Sequence, residues 1–169
     1  SPGDLLAVSG TIGGAARVLE LLRDGRAATE RRLLDRPQPR VELGRALIGY
    51  ASACIDISDG LLADLGHIVQ ASGCGARIAL ERLPYADLLA DLDDESRWNC
   101  QLSGGDDYEL LFTLPRRHEA KLGAWQRRLE TDLTVIGEIT EGDGICCAMP
   151  GGGEFSPRST GFEHFGQST

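Results

Sequence analysis

Hydrophobic and polar positions change period several times along the chain, and these changes divide it into short elements. Leu5-Leu6-Ala7-Val8 lies in a run from Asp4 to Ser9 that predicts a strand ending at Gly10. Gly13-Gly14 opens a helix whose apolar residues Ala15, Val18, Leu19 and Leu22 recur at helical spacing, and Asp24-Gly25 closes it. Residues 26–36 are polar and arginine-rich, an exposed helix or linker ahead of Pro37 and Pro39. Val41, Leu43, Leu47 and Ile48 suggest a second helix. Ile55 and Ile57 alternate with Asp56 in a strand over 51–58. Leu61, Leu62, Leu65, Ile68 and Val69 then form the buried stripe of a third helix, which Asp59 is placed to cap.

Further along, Ala76 to Leu80 predicts a strand, and a short helix follows at about 86–92. Tyr108 to Leu114 is the strongest strand pattern in the chain. Arg116 to Leu129 is an amphipathic helix. Leu133 to Ile139 and Gly144 to Met149 are two strands, the second suited to a sheet edge, and Gly151-Gly152-Gly153 is a turn. Strands and helices interleave, yet several strands follow each other through short turns. The expectation is an α+β fold, a mixed sheet with helices packed on it. No internal repeat or second boundary is visible, so residues 1–169 read as one domain.

Composition narrows the function classes. With 169 residues, 41% hydrophobic and 25% charged, the chain can bury a core and contains no apolar run of membrane-spanning length. Its net charge of −9 argues against a nucleic-acid surface, which needs a basic stripe. Lys121 is the only lysine and no Gly-Lys-Ser or Gly-Lys-Thr loop occurs, so side-chain contacts to phosphate fall to arginine or a metal. Cys54, Cys74, Cys100, Cys146 and Cys147 show no paired spacing and read as reduced, mostly core residues. No secretory leader pattern opens the sequence, giving a cytoplasmic expectation. The chain starts almost directly on its first strand, without methionine, which suggests a piece of a longer protein.

Two acidic, glycine-flanked segments carry the candidate chemistry. One is Ile55-Asp56-Ile57-Ser58-Asp59-Gly60-Leu61, the other Ser103-Gly104-Gly105-Asp106-Asp107-Tyr108-Glu109-Leu110. Glycine permits sharp turns and close approach of a ligand, and short carboxylates on such turns suit Mg²⁺, which usually arrives with phosphate. Asp56 and Ser58 share a strand face and Asp59 sits at the turn, at the carboxyl end of a strand where ligand sites collect. Against this stand plainer readings: Asp59 as a helix cap, Ser58 as a turn residue, and one or two of Asp106, Asp107 and Glu109 as a solvated turn. Asp56 favours the functional reading, because a carboxylate in an apolar strand is costly unless paired or metal-bound. His67 reads as a structural histidine beside the apolar stripe and His118 as exposed. His164 sits between Phe162 and Phe165, where packing or a ring over a ligand are both open. Trp98 and Trp125 read as core or groove residues.

The run from Ala53 to Ile68, the segment Ser103 to Leu111, and the closing Gly161-Phe162-Glu163-His164-Phe165 together resemble the thiamine-monophosphate kinase family. Val8-Ser9-Gly10-Thr11-Ile12-Gly13 is similar to the entry into that family's C-terminal domain. The resemblance implies an α/β/α layered domain like the aminoimidazole ribonucleotide synthetase C-terminal domain, partly ferredoxin-like. It also implies an absent N-terminal domain that supplies most ATP and Mg²⁺ contacts and a homodimer interface. By the same resemblance Asp56 and Asp59 would hold Mg²⁺, Ser58 would touch ATP, and Asp106 and Phe162 would contact thiamine monophosphate. Many relatives have Glu where Asp106 stands, and some have Tyr or Trp in place of Phe162. The implied activity is transfer of a phosphoryl group from ATP to thiamine monophosphate, with this chain alone inactive. A related ATP-dependent synthetase, or a non-catalytic ligand-binding module, are the other two readings.

Overall fold

A computed structural model describes residues 1–158. Its centre is a six-stranded mixed sheet built from β1 (Leu5–Ser9), β2 (Ala53–Asp56), β3 (Gly75–Ala79), β4 (Leu110–Leu114), β5 (Leu133–Thr140) and β6 (Ile145–Ala148). The spatial order is β2-β4-β1-β5-β3-β6. All neighbouring pairs are antiparallel except β3 with β6. β1, entirely buried, runs through the middle, and β2 and β6 are the edges, as expected for the second of the two late strands.

Among the described residues six α-helices accompany the sheet: α1 (Gly14–Arg23), α2 (Arg32–Asp35), α3 (Val41–Leu47), α4 (Leu61–Ser72), α5 (Asp94–Ser103) and α6 (Ala120–Leu129). Successive strand residues face opposite sides, so β1 feeds two cores. Leu6 and Val8 join Leu111, Ile78 and Ile136 beneath Leu61, Leu65 and Ile68 of α4 and Trp98 and Leu102 of α5. Ala7 joins Phe112 and Leu114 beneath Leu43 and Leu47 of α3 and Leu122 and Trp125 of α6. The layers are therefore α/β/α, and both tryptophans are core residues. α1 packs against α5 and so sits over the first of these faces.

Several local expectations are corrected. The predicted helix at 86–92 is a single 3₁₀ turn, Asp87–Leu89. α5 was not expected at all: Asp94–Ser103 is mostly polar, and only Trp98, Cys100, Gln101 and Leu102 are buried. Its signal was at the start, where Asp93 accepts hydrogen bonds from the N–H and hydroxyl of Ser96, followed by Asp94 and Glu95 in the first turn. Asp59 does not cap α4, whose N-cap is Gly60. His67 is exposed, away from the apolar stripe, and His118 is half-buried with its ring edge-on to Tyr50. No helix among the described residues is long and apolar enough to cross a membrane.

Candidate functional site

The two acidic segments, some fifty residues apart in sequence, meet where β2 and β4 end. The antiparallel pairing of β2 with β4 stops at Asp56–Leu110. Backbone bonds then continue it: Ile57 N–H to Glu109 O at 2.8 Å, Tyr108 N–H to Ile57 O at 2.9 Å, and Asp106 N–H to Ser58 O at 2.9 Å. The loops are thus stitched together residue by residue. Small residues make this possible. A Cβ on Gly105 would lie 2.4 Å from Ser58 O, and one on Gly60, whose φ is 119°, would meet the Ser103 carbonyl at 3.0 Å. Asp106 (φ 67°) and Tyr108 (φ 50°) both adopt the left-handed conformation, which costs a side-chain-bearing residue energy and is concentrated at functional sites.

Ser58, Asp59, Gly104, Gly105 and Asp106 line one side of a cleft of about 440 Å³. Ala15, Ala16, Leu19 and Arg23 of α1 and Asn99 and Cys100 of α5 form its other walls, with Glu20 and Arg158 at the margin. Arg158 is held by Glu95 and by its N–H to Asn99 Oδ1. Burial, then the neighbouring Glu20 carboxylate, push the Cys100 thiol up to about 12, which disfavours the thiolate that a nucleophile needs. Cys74 and Cys147 are also buried, Cys146 is partly so, Cys54 is exposed on β2, and all five cysteines are free.

Asp56 lies elsewhere. Its side chain is exposed and opens into a neighbouring apolar pocket of about 400 Å³, with Cys54, Tyr108, Leu110, Pro37, Pro39, Arg40, Val41 and Gly44. The desolvation argument that singled it out does not apply, because β2 is an open edge and this carboxylate stays in water. Ser58, Asp59 and Asp106 are brought together on the cleft; Asp56 borders the other side of the same turn. Phe162 and His164 lie outside the described residues.

Three further acidic residues organise the site. Asp64, on the first turn of α4, accepts the N–H groups of Ser58, Asp59 and Gly60 on one oxygen. Burial raises its carboxyl above the usual range, and these hydrogen bonds oppose the rise. Asp107 accepts the N–H of Gly13 at 2.6 Å and of Ala15 at 3.2 Å, tying the start of α1 to the second loop. Burial pushes its carboxyl up to about 7, against the two N–H bonds, which favour the charged form. Glu109, buried, takes a forked pair of bonds from Arg40 at 2.7 and 2.6 Å and the Ser9 hydroxyl at 2.5 Å. Of the three residues weighed as a solvated acidic turn, only Asp106 is exposed.

The donor set suits Mg²⁺ in one specific way. Among the described residues no three His, Cys, Asp or Glu side chains gather as a cage. Two short carboxylates, Asp59 and Asp106, instead border a cleft large enough for a phosphate ester. Mg²⁺ is usually held by one or two carboxylates together with substrate phosphates and water, so Asp59 fits it as a partial ligand on this cleft.

The family model described as AIR synthase related protein, C-terminal domain, matches residues 1–147. Thiamine-monophosphate kinase from Haemophilus influenzae is 40% identical over 98% of this chain and 54% of its own length. The crystal structure of thiamine-monophosphate kinase from Stenotrophomonas maltophilia superposes with a TM-score of 0.82 at 40% identity, covering 87% of this chain and 50% of that one. AaThiL, solved in complex with AMPPCP and TMP, gives 0.74 at 32% identity over 98% of this chain and 52% of its own. The chain spans about half the length of the curated relatives it matches. Layered sheet, glycine-bounded loops and matched residues agree: the chain belongs to the family of AIR synthase related proteins, as their C-terminal domain.

Proposed function

We propose that this chain is the C-terminal part of an ATP-dependent kinase that phosphorylates thiamine monophosphate to thiamine diphosphate. The observation that carries the proposal is the meeting of Ser58, Asp59 and Asp106 on one cleft, held by backbone bonds between their loops. The relatives named above, one of them solved with an ATP analogue, support it. In this reading the reaction is a direct in-line transfer. The acceptor phosphate is already largely ionised near neutral pH, so no general base is required. Two anions must approach, and the protein's task is alignment and neutralisation of charge.

Asp59 would hold Mg²⁺ on the cleft side of the turn and Asp56 on its other face; the ion would supply charge neutralisation between nucleotide and acceptor. Ser58 would contact the nucleotide. Asp106 would face the thiamine phosphate, with Phe162 against its rings. A preceding domain of similar size would complete the ATP site and pair two copies of the intact protein in the cytoplasm. Asp59→Asn in the intact protein is expected to lower phosphate transfer by about 100-fold, the scale of losing one preorganised charge and more than any accompanying shift in melting temperature explains. Normal turnover in Asp59→Asn would overturn the assignment. The chain alone, given ATP, Mg²⁺ and thiamine monophosphate, is expected to form almost no thiamine diphosphate.

A further inference from the structure

Three successive backbone N–H groups, those of Ser58, Asp59 and Gly60, converge on Oδ2 of Asp64 at 2.9, 3.1 and 3.2 Å. They stand at the head of α4, a twelve-residue helix. Converging amides at a helix start are the arrangement by which many proteins bind a phosphate directly. Here a carboxylate of the same chain fills that position.

Asp64 is only 2% exposed, and an apolar side chain in its place would leave these three N–H groups without their acceptor. Its own N–H bonds to Gly60 O at 3.0 Å, so the turn is gripped through both backbone and side chain. Gly60 supplies the positive φ that the turn needs, and the Ser103 backbone closes the space beside it. Turn and second loop therefore have one relative placement, and that placement puts Ser58 and Asp59 on the cleft.

We propose that Asp64 is a positioning residue that stands in for an anion in the amide cradle of residues 58–60. With the cradle filled, a substrate phosphate is met at this turn by the side chains of Ser58 and Asp59 and a bound cation, not by the backbone amides. The link to turnover rests on the kinase reading above; the filling of the cradle does not.

The test follows the amide resonances of Ser58, Asp59 and Gly60 in this chain while inorganic phosphate is added. In the unaltered chain the three amides are expected to stay put. In Asp64→Ser the emptied cradle is expected to take phosphate, and the three amides to shift in a saturable way. Asp64→Asn keeps the side-chain shape and serves if the Ser variant does not fold: it should move the same three resonances upfield without phosphate. In the intact protein Asp64→Asn should lower kcat about tenfold or more, with KM for ATP changed less than about twofold. Phosphate shifts of equal size in the unaltered chain would overturn the proposal, as would unmoved resonances in Asp64→Asn. Unchanged kcat beside moved resonances would overturn the positioning role. If the unaltered intact protein fails to phosphorylate thiamine monophosphate, the kinase reading falls, and the phosphate titration still decides what Asp64 does.

Discussion

Asp107 carries the most testable chemistry at the scale of single residues. Its carboxyl is pushed up to about 7 by burial, whereas an aspartate in an unfolded chain ionises near about 3.9. The sign follows from linkage. A group whose folded pKa is raised binds its proton more tightly in the folded state. Its contribution is therefore fully present below about pH 4 and is lost as pH rises towards 7. After allowance for partial exposure, about 2 kcal/mol of stability should disappear across that window. Urea denaturation of the chain at pH 5 and pH 7.5 measures it; Asp107→Asn, which cannot ionise, should show a smaller fall than the unaltered chain. An equal fall in both would assign the pH dependence to other carboxylates. The sequence marked this residue as one of an acidic trio but could not separate the three. Asp106, Asp107 and Glu109 differ only in where the left-handed backbone at 106 and 108 points them, and that conformation is imposed by the partner loop.

Between elements, the determining contact is loop against loop. Segment 57–58 and segment 106–109 continue the β2–β4 pairing past its formal end. Gly105 is the point of closest approach, and an added methyl would sit 2.4 Å from a backbone oxygen that cannot swing aside. Gly105→Ala should therefore destabilise the chain by about 1–3 kcal/mol, the range for strain and overpacking at such sites. It should also push Asp106 away from Asp59, so the intact protein should lose turnover beyond what the stability loss explains. Thermal melts beside kcat separate the two effects; a variant as stable and as active as the original would show that the loops are free to part. Glycine at 105 was readable as a turn signal. Its partner was not, because nothing in a periodicity pattern says which backbone atom lies across from it. α5 was lost for a related reason. Asn99 and Cys100 wall the cleft while Trp98 and Leu102 anchor the helix in the core, but Asp94–Ser103 shows no sustained apolar stripe, and only the cap at Asp93 betrayed it.

Seen whole, the molecule hangs on β1, which supplies side chains to both cores. The strong apolar runs Leu5–Val8 and Leu110–Leu114 are enough to predict that sheet from the sequence. What they could not announce was the knot between its centre and the segment ahead of α3. Ser9 at the end of β1, Glu109 beside β4, and Arg40 after the proline pair are joined by a half-buried, forked ion pair and a buried hydroxyl bond. These residues are 69 and 100 positions apart in the two links, beyond any local pattern. Gly10 allows the packing: a Cβ there would strike the Glu109 carboxylate at 2.1 Å. Arg40 also walls the pocket that receives Asp56, so the knot shapes the far side of the candidate metal turn. Removing Glu109 leaves a half-buried guanidinium without its counter-charge, which costs more than the pair itself contributes. Glu109→Gln should lower stability by about 3 kcal/mol, while replacing both Arg40 and Glu109 with methionine and leucine should cost markedly less. Urea denaturation of Arg40→Met, Glu109→Leu and the variant carrying both measures the coupling. If the single losses merely add, Arg40 and Glu109 act independently, and the segment ahead of α3 is held by Pro37, Pro39 and the packing of Leu43 and Leu47 alone.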